Sequence, residues 1–262
     1  VVFVIILLGS ALAATVPEGK DPKIVNGTDT DINLWPYMAS LRRNGGHTCG
    51  GTILNEEWLL TAAHCLTNPA NGYSVQFGET VLNRNSENVV GVAEVIQHPG
   101  YLPSNQYIND IGVVRFSEKL PNFTDDFRVR LPVSGSYYAT GTPSILTGWG
   151  LNATEGVVVP ILQKANLQIF NVFDCSQLHR STIHYTNICG GVPEGGKGQC
   201  SGDSGGPLLV DGVQVGIVSW SVKPCTVAPY PGVYTGTSHF IGWISEITGI
   251  DFQLSMYLKA RS

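Results

Sequence analysis

Positive charge is what this sequence has least of. Only 13% of its 262 residues are charged, and 15 Lys and Arg stand against 20 Asp and Glu. The net charge of −5 argues against a nucleic-acid partner, because such binders carry basic patches. Nothing in the charge pattern points to a membrane surface. Helical patterning is sparse, and there is neither an internal repeat nor a low-complexity tract. No CxxC spacing occurs, which turns the six cysteines away from metal binding.

Apolar residues and turn formers are plentiful. The chain is 43% hydrophobic, enough for a large core in one or two domains. Its 31 Gly and 15 Pro imply many turns and favour an all-β fold. Short apolar runs recur between turn signals: MASL at 38–41, GTIL at 51–54, WLLTAA at 58–63, VVGVAEVI at 89–96, IGVVRF at 111–116 and PLLVDGVQVGIVSW at 207–220. Within the last run Asp211-Gly212 separates two apolar stretches and predicts a tight hairpin. Helical spacing is best at Ser238–Ile247, with a shorter candidate at Asn171–His179. A composition dip at 132–141 is expected to join two halves, each of many short strands, built as barrels or sandwiches.

The amino terminus, VVFVIILLGSALAATVPEGK, reads as a secretory signal peptide over 1–13. A membrane anchor is the weaker alternative, since a span takes about 20 apolar residues. The sequence does not open with Met, so the first residues of the translated chain are expected to lie ahead of Val1. Residues 14–23 resemble a linker or pro-segment, and the body begins at Ile24-Val25-Asn26-Gly27. Secretion makes disulfides the expected state of the six cysteines, with many pairings open on sequence alone. It also makes Asn26, Asn122 and Asn152 candidate glycan acceptors.

The chemistry centres on GQCSGDSGGPLL at 198–209. A lone serine such as Ser204 is a poor nucleophile and needs a base. His64 in LLTAAHCL and Asp110 in YINDIGVVRF supply a candidate base and a candidate orienting acid. Alone, each has a bland reading, as a packed histidine and a turn aspartate.

Taken in order, TAAHC, NDIGVV and GDSGGP resemble the trypsin- and chymotrypsin-like serine peptidases, over 24–251. The resemblance implies two six-stranded antiparallel β-barrels with a C-terminal helix. It implies that Ser204 attacks the scissile carbonyl, that His64 moves its proton, that Asp110 holds the imidazolium and that Ser219 supports Asp110. The oxyanion donors would be the amides of Gly202 and Ser204. The disulfides would be Cys49–Cys65, Cys175–Cys189 and Cys200–Cys225. Activation would follow cleavage of Lys23–Ile24 by a trypsin-like protease, the new Ile24 amine pairing with Asp203. With no cysteine in 14–23, the activation peptide would be released.

The same resemblance makes Gly198 the floor of the specificity pocket and Ser221 and Gly232 its walls, counts Ser219 in it too, and has the backbone of 219–221 pair with the substrate as an added strand. A glycine floor disfavours Arg or Lys at P1, the residue before the scissile bond, and small walls suggest an open pocket for Phe, Tyr, Leu or Met. Ser221 and Gln199 are departures that would narrow it, towards an elastase-like preference for smaller residues. No cofactor is expected; a calcium loop near Glu79 and Glu87 is left open, though the loop is short of acids. The expected protein is a secreted, monomeric, digestive endopeptidase with protein substrates and protein inhibitors as partners. A silent binding homologue and a dedicated cascade protease are the competing readings. The extension 252–262 receives no function.

Overall fold

The computed structural model describes residues 24–252 except 68, 157 and 159. The expected signal and activation peptides, Lys23 included, and 253–262 lie outside the described residues. Among the described residues a two-residue strand, β1 (Thr28–Asp29), comes first and pairs with the second half of the molecule. The first barrel follows: β2 (Met38–Arg43), β3 (Gly46–Ile53), β4 (Trp58–Thr61), β5 (Tyr73–Phe77), β6 (Val89–Gln97) and β7 (Gly112–Phe116). They close in the order β2-β3-β4-β7-β6-β5, every pair antiparallel. Closure removes the exposed strand edges that would otherwise invite pairing with other chains. Inside lie Met38, Leu41, Ile53, Leu60, Val75 and Val113, all fully buried.

The second barrel comprises β8 (Pro143–Gly148), β9 (Gln163–Phe170), β10 (Asn187–Gly191), β11 (Pro207–Val210), β12 (Val213–Trp220) and β13 (Gly232–Gly236). Their order is β9-β10-β13-β12-β11-β8, and β8 pairs back onto β9 to close the sheet. Leu146, Ile169, Leu208, Val215 and Tyr234 fill it, together with Ile24 from the start of the body. Asp211 and Gly212, at φ 49° and 72°, make the two-residue turn between β11 and β12 that their sequence predicts.

The chain passes between barrels earlier than the composition dip suggests. The Val129 amide still donates to Ile53 O of the first barrel, whereas Arg130 O already accepts from Gln214 N of the second. Residues 132–141 run along the second barrel, with Gly135 N donating to Ser238 O and Gly141 N to Ile169 O. Loop-rich composition marked the strand-free segment; hydrogen-bond partners mark the crossing.

Two named α-helices complete the fold among the described residues. In α1 (Val172–His179) the Asn171 side chain accepts from Asp174 N, capping the amino end. In α2 (Ile241–Thr248) Gly249, at φ 71°, closes the carboxyl end. Two residues expected in this helix, Ser238 and His239, instead belong to a 3₁₀ turn, Thr237–His239, ahead of it. Phe240, Ile241 and Ile244 pack into the first barrel's core cluster, so the end of the chain ties the two halves together.

Candidate active site

Strand register brings His64 and Asp110 together. β4 and β7 are antiparallel neighbours, with Thr61 opposite Gly112. His64 follows the end of β4 in a 3₁₀ turn, and Asp110 precedes the start of β7, so both sit at the same end of one strand pair. The Cys49–Cys65 disulfide fixes the turn from the other side. Asp110 is fully buried. Its Oδ2 accepts from His64 Nδ1 at 2.7 Å, and its Oδ1 accepts from the His64 amide at 2.8 Å. Ser219 Oγ donates to Oδ2 at 2.5 Å. Ser219 is the extra residue of a bulge, where Val218 pairs Tyr234 and Trp220 pairs Val233, and the bulge turns its hydroxyl to the carboxylate. With Nδ1–H spent on Asp110, Nε2 is the nitrogen able to take a proton.

Ser204 lies across from them in the loop before β11. It shares with His64 a cleft of about 320 Å³ that also includes Gln199, Ser201, Ser219, Trp220, Ser221 and Lys223. Both barrels hold the loop: Gly50 N donates to Ser204 O, and Gly205 N donates to Val218 O. Gly202 has φ 93°, a region that side-chain-bearing residues avoid, and an added Cβ would lie 3.1 Å from Gly150 Cα.

Asp203 points inward and is completely buried. Its Oδ1 accepts from Gly150 N at 2.8 Å and its Oδ2 from Cys200 N at 3.0 Å. Burial outweighs these two bonds and pushes the carboxyl up to about 7. Gly148 and Gly150 make the space: a Cβ on either would come within 2.3 Å of the carboxyl group. Ile24 is fully buried too and has φ 36°, an unfavourable backbone for a β-branched residue. Val25 bridges Gly198, whose amide donates to Val25 O at 3.2 Å, so the start of the body lies against the loop that carries Asp203.

His47 also grips this loop. Its Nε2–H donates to Gly202 O at 3.0 Å, and its Nδ1 accepts from Ser40 Oγ at 2.8 Å. Desolvation holds the imidazole down to about 4, so it is neutral at physiological pH. Sequence reasoning missed His47, Gly148 and Gly150; the GWG at 148–150 was the available signal for the two glycines. It also missed Tyr107, whose ring meets His64 edge-on at 5.9 Å in the cleft.

Gly198, Gln199, Ser221 and Gly232 do line one cavity, with Lys197, Thr226 and Tyr230. The expectation that this pocket is open needs correction. Its free volume is about 10 Å³, barely room for one water. The Gln199 side chain occupies the space, with Nε2 donating to Trp220 O at 2.8 Å and to Val233 O at 3.3 Å. It lies over Gly232, where a Cβ would come 2.4 Å from Nε2.

The remaining two disulfides, Cys175–Cys189 and Cys200–Cys225, brace α1 and the cavity rim. Near the proposed calcium loop, Glu79 takes Gln76 Nε2, Ser86 Oγ at 2.6 Å and Asn88 Nδ2 at 3.0 Å. Both Glu79 carboxylate oxygens are thus taken by neighbouring side-chain donors.

Residues 24–244 match the family model described as Trypsin. Trypsin beta of Drosophila erecta is 36% identical, covering 92% of this chain and 97% of its own. Serine protease 1 of Rattus norvegicus is 35% identical over 93% and 96%. Kallikrein-7 of Homo sapiens is 31% identical over 92% and 94%.

Proposed function

Given that the chain belongs to the trypsin family of serine endopeptidases, we propose that it is made as a zymogen and cuts after small, uncharged residues. The Asp110–His64 pair facing Ser204 across one cleft carries the catalytic reading. In it, His64 Nε2 takes the Ser204 proton as Oγ adds to the scissile carbonyl, then passes the proton to the leaving amine. Asp110, itself held by Ser219 and the His64 amide, stabilises the imidazolium without taking its proton. The amides of Gly202 and Ser204 receive the oxyanion.

The buried Asp203 and the strained, buried Ile24 favour activation by cleavage at Lys23–Ile24. Cleavage would release Ile24 from its backbone constraint and give it an ammonium to set against a carboxylate that is costly to bury alone. Secretion and a digestive role fit a protein with three disulfides and belong to the same proposal.

For P1, the placement of Gln199 favours the smaller-residue reading over the chymotrypsin-like one. A Phe or Leu side chain could enter only if Gln199 gave up its bond to Trp220 O and left the pocket. Trypsin-like cleavage is disfavoured on separate grounds. Among the described residues the one charged side chain lining the cavity is Lys197, so an incoming Arg or Lys would meet no described carboxylate there.

The test is a matched peptide series with P1 Ala, Val, Leu, Phe or Arg, run after limited activation and removal of the activator. Ala or Val should lead, and in Gln199→Ala the Phe-to-Ala ratio of kcat/KM should rise at least about tenfold, as pocket space of this kind is worth. Preference for Phe in the parent enzyme would restore the chymotrypsin-like reading. No turnover and no reaction with a serine-directed label, with Lys23–Ile24 shown to be cut, would favour the silent binding homologue.

A further inference from the structure

The cleft around Ser204 has one Lys or Arg among its described lining residues and no Asp or Glu. That residue is Lys223. Asp110 and Asp203 lie beneath the surface, fully buried. Lys223 is placed with some care. Its Nζ sits over the Cys200–Cys225 bridge, 2.9 Å from Cys225 Sγ and 4.0 Å from Cys200 Sγ, and donates to Ser201 Oγ at 3.3 Å. Ser201 directly precedes Gly202, the proposed oxyanion donor. The ammonium therefore touches the residue next to the proposed oxyanion donor.

Its present partners are poor ones for a charge. An ammonium carries three donors, and sulfur and a neutral hydroxyl are weak acceptors for them. Among the described residues, Lys223 makes no ion pair within 4.0 Å. The Asp203 carboxylate acts on it only from below, through the loop. The side chain is exposed, so a group arriving in the cleft can reach it without displacing protein.

We propose that Lys223 is a specificity-determining residue that reads an acidic side chain of the substrate next to the scissile bond. The inference rests on the peptidase reading of the cleft. It differs from the Gln199 argument, which concerns how much room P1 has. The complement is local: with a net charge of −5 the whole molecule does not attract acidic peptides, so the gain appears only once the chain is seated. A contact made equally in the bound and transition states lowers KM and leaves kcat alone.

Peptides with a fixed small P1 residue and Glu or Gln in turn at P3, P2, P1′ and P2′ would locate the contact. At one of these positions the Glu peptide should be favoured about 3-fold to 5-fold in kcat/KM, the gain residing in KM and shrinking with added salt. The ratio should fall to 1 in Lys223→Met and invert in Lys223→Glu. Because each variant is judged by its own Glu-to-Gln ratio, a general change in activity cancels. The same ratio is read as affinity on Ser204→Ala protein, which needs no turnover. Equal ratios in the parent and Lys223→Met proteins at every position would overturn the proposal. Failure of every peptide to turn over would overturn the small-P1 reading or, if the serine-directed label also fails to react, the peptidase reading, and the affinity ratio would still decide Lys223.

Discussion

His64 and Asp110 stand on the first barrel, at the paired ends of β4 and β7, where a ladder of backbone hydrogen bonds and a disulfide settle their distance. Ser204 belongs to the second barrel and stands on no strand. Its loop is held by a buried carboxylate, a neutral histidine from the other barrel and Val25, the second residue of the body. One half of the site is therefore built by folding alone. The other half depends on groups whose charge or covalent state can change. On the proposed zymogen reading, this contrast lets the protein fold fully yet stay inactive until Lys23–Ile24 is cut.

The largest effect should come from the half that is always built. Asp110→Asn leaves the strand register untouched but can no longer hold the His64 tautomer. Its kcat should fall about 10⁴-fold, the figure that the Ser-His-Asp template itself gives. A loss under tenfold, measured after complete activation, would remove Asp110 from the mechanism.

Next comes the conditional half. Asp203→Asn should fold, with all three disulfides formed, and be cut at Lys23–Ile24, yet remain inactive. Breaking a buried ion pair costs about 3–5 kcal/mol, or roughly a 10²- to 5 × 10³-fold loss of the ordered form. Full activity in the cut variant would show that the two halves are held alike.

The smallest effect concerns the clamp between them. The His47 imidazole is held down to about 4 from an ordinary 6.5, so the fold prefers its neutral form. Its contribution is complete above pH 6.5 and is lost as pH falls towards and through 4. About 3 kcal/mol of stability should go with it. Denaturant melts between pH 7 and 4 should show the stability difference between the parent protein and His47→Gln shrinking by this amount, the other titrating groups, Asp203 among them, acting alike in both. A parallel slope in both would take His47 out of the account.

The first barrel and the chemistry were largely legible in the sequence. Apolar runs such as WLLTAA and IGVVRF announced β4 and β7, and the residues at their ends announced His64 and Asp110. What escaped was held by contacts distant along the chain. Gly148 and Gly150 are glycines because a carboxylate more than fifty residues on occupies the space where their Cβ atoms would be. Gln199 was noticed, but its direction was not readable, because it is set by the carbonyls of Trp220 and Val233, brought beside it by β12 and β13. Small residues at Ser221 and Gly232 read as empty space when they are the space that Gln199 takes. The crossing at Val129–Arg130 escaped for the same reason, since it is defined by partners and not by composition.

The bond from the Gly50 amide to Ser204 O has a bearing on how the molecule survives its own kind. A population of proteases is a hazard to any member that loosens. Here the barrels are joined at the cutting residue itself, so a molecule whose halves part loses the support of Ser204, and His64 departs with the other half. Each copy is disarmed by the event that makes it digestible, and its opened chain meets only the copies that remain closed.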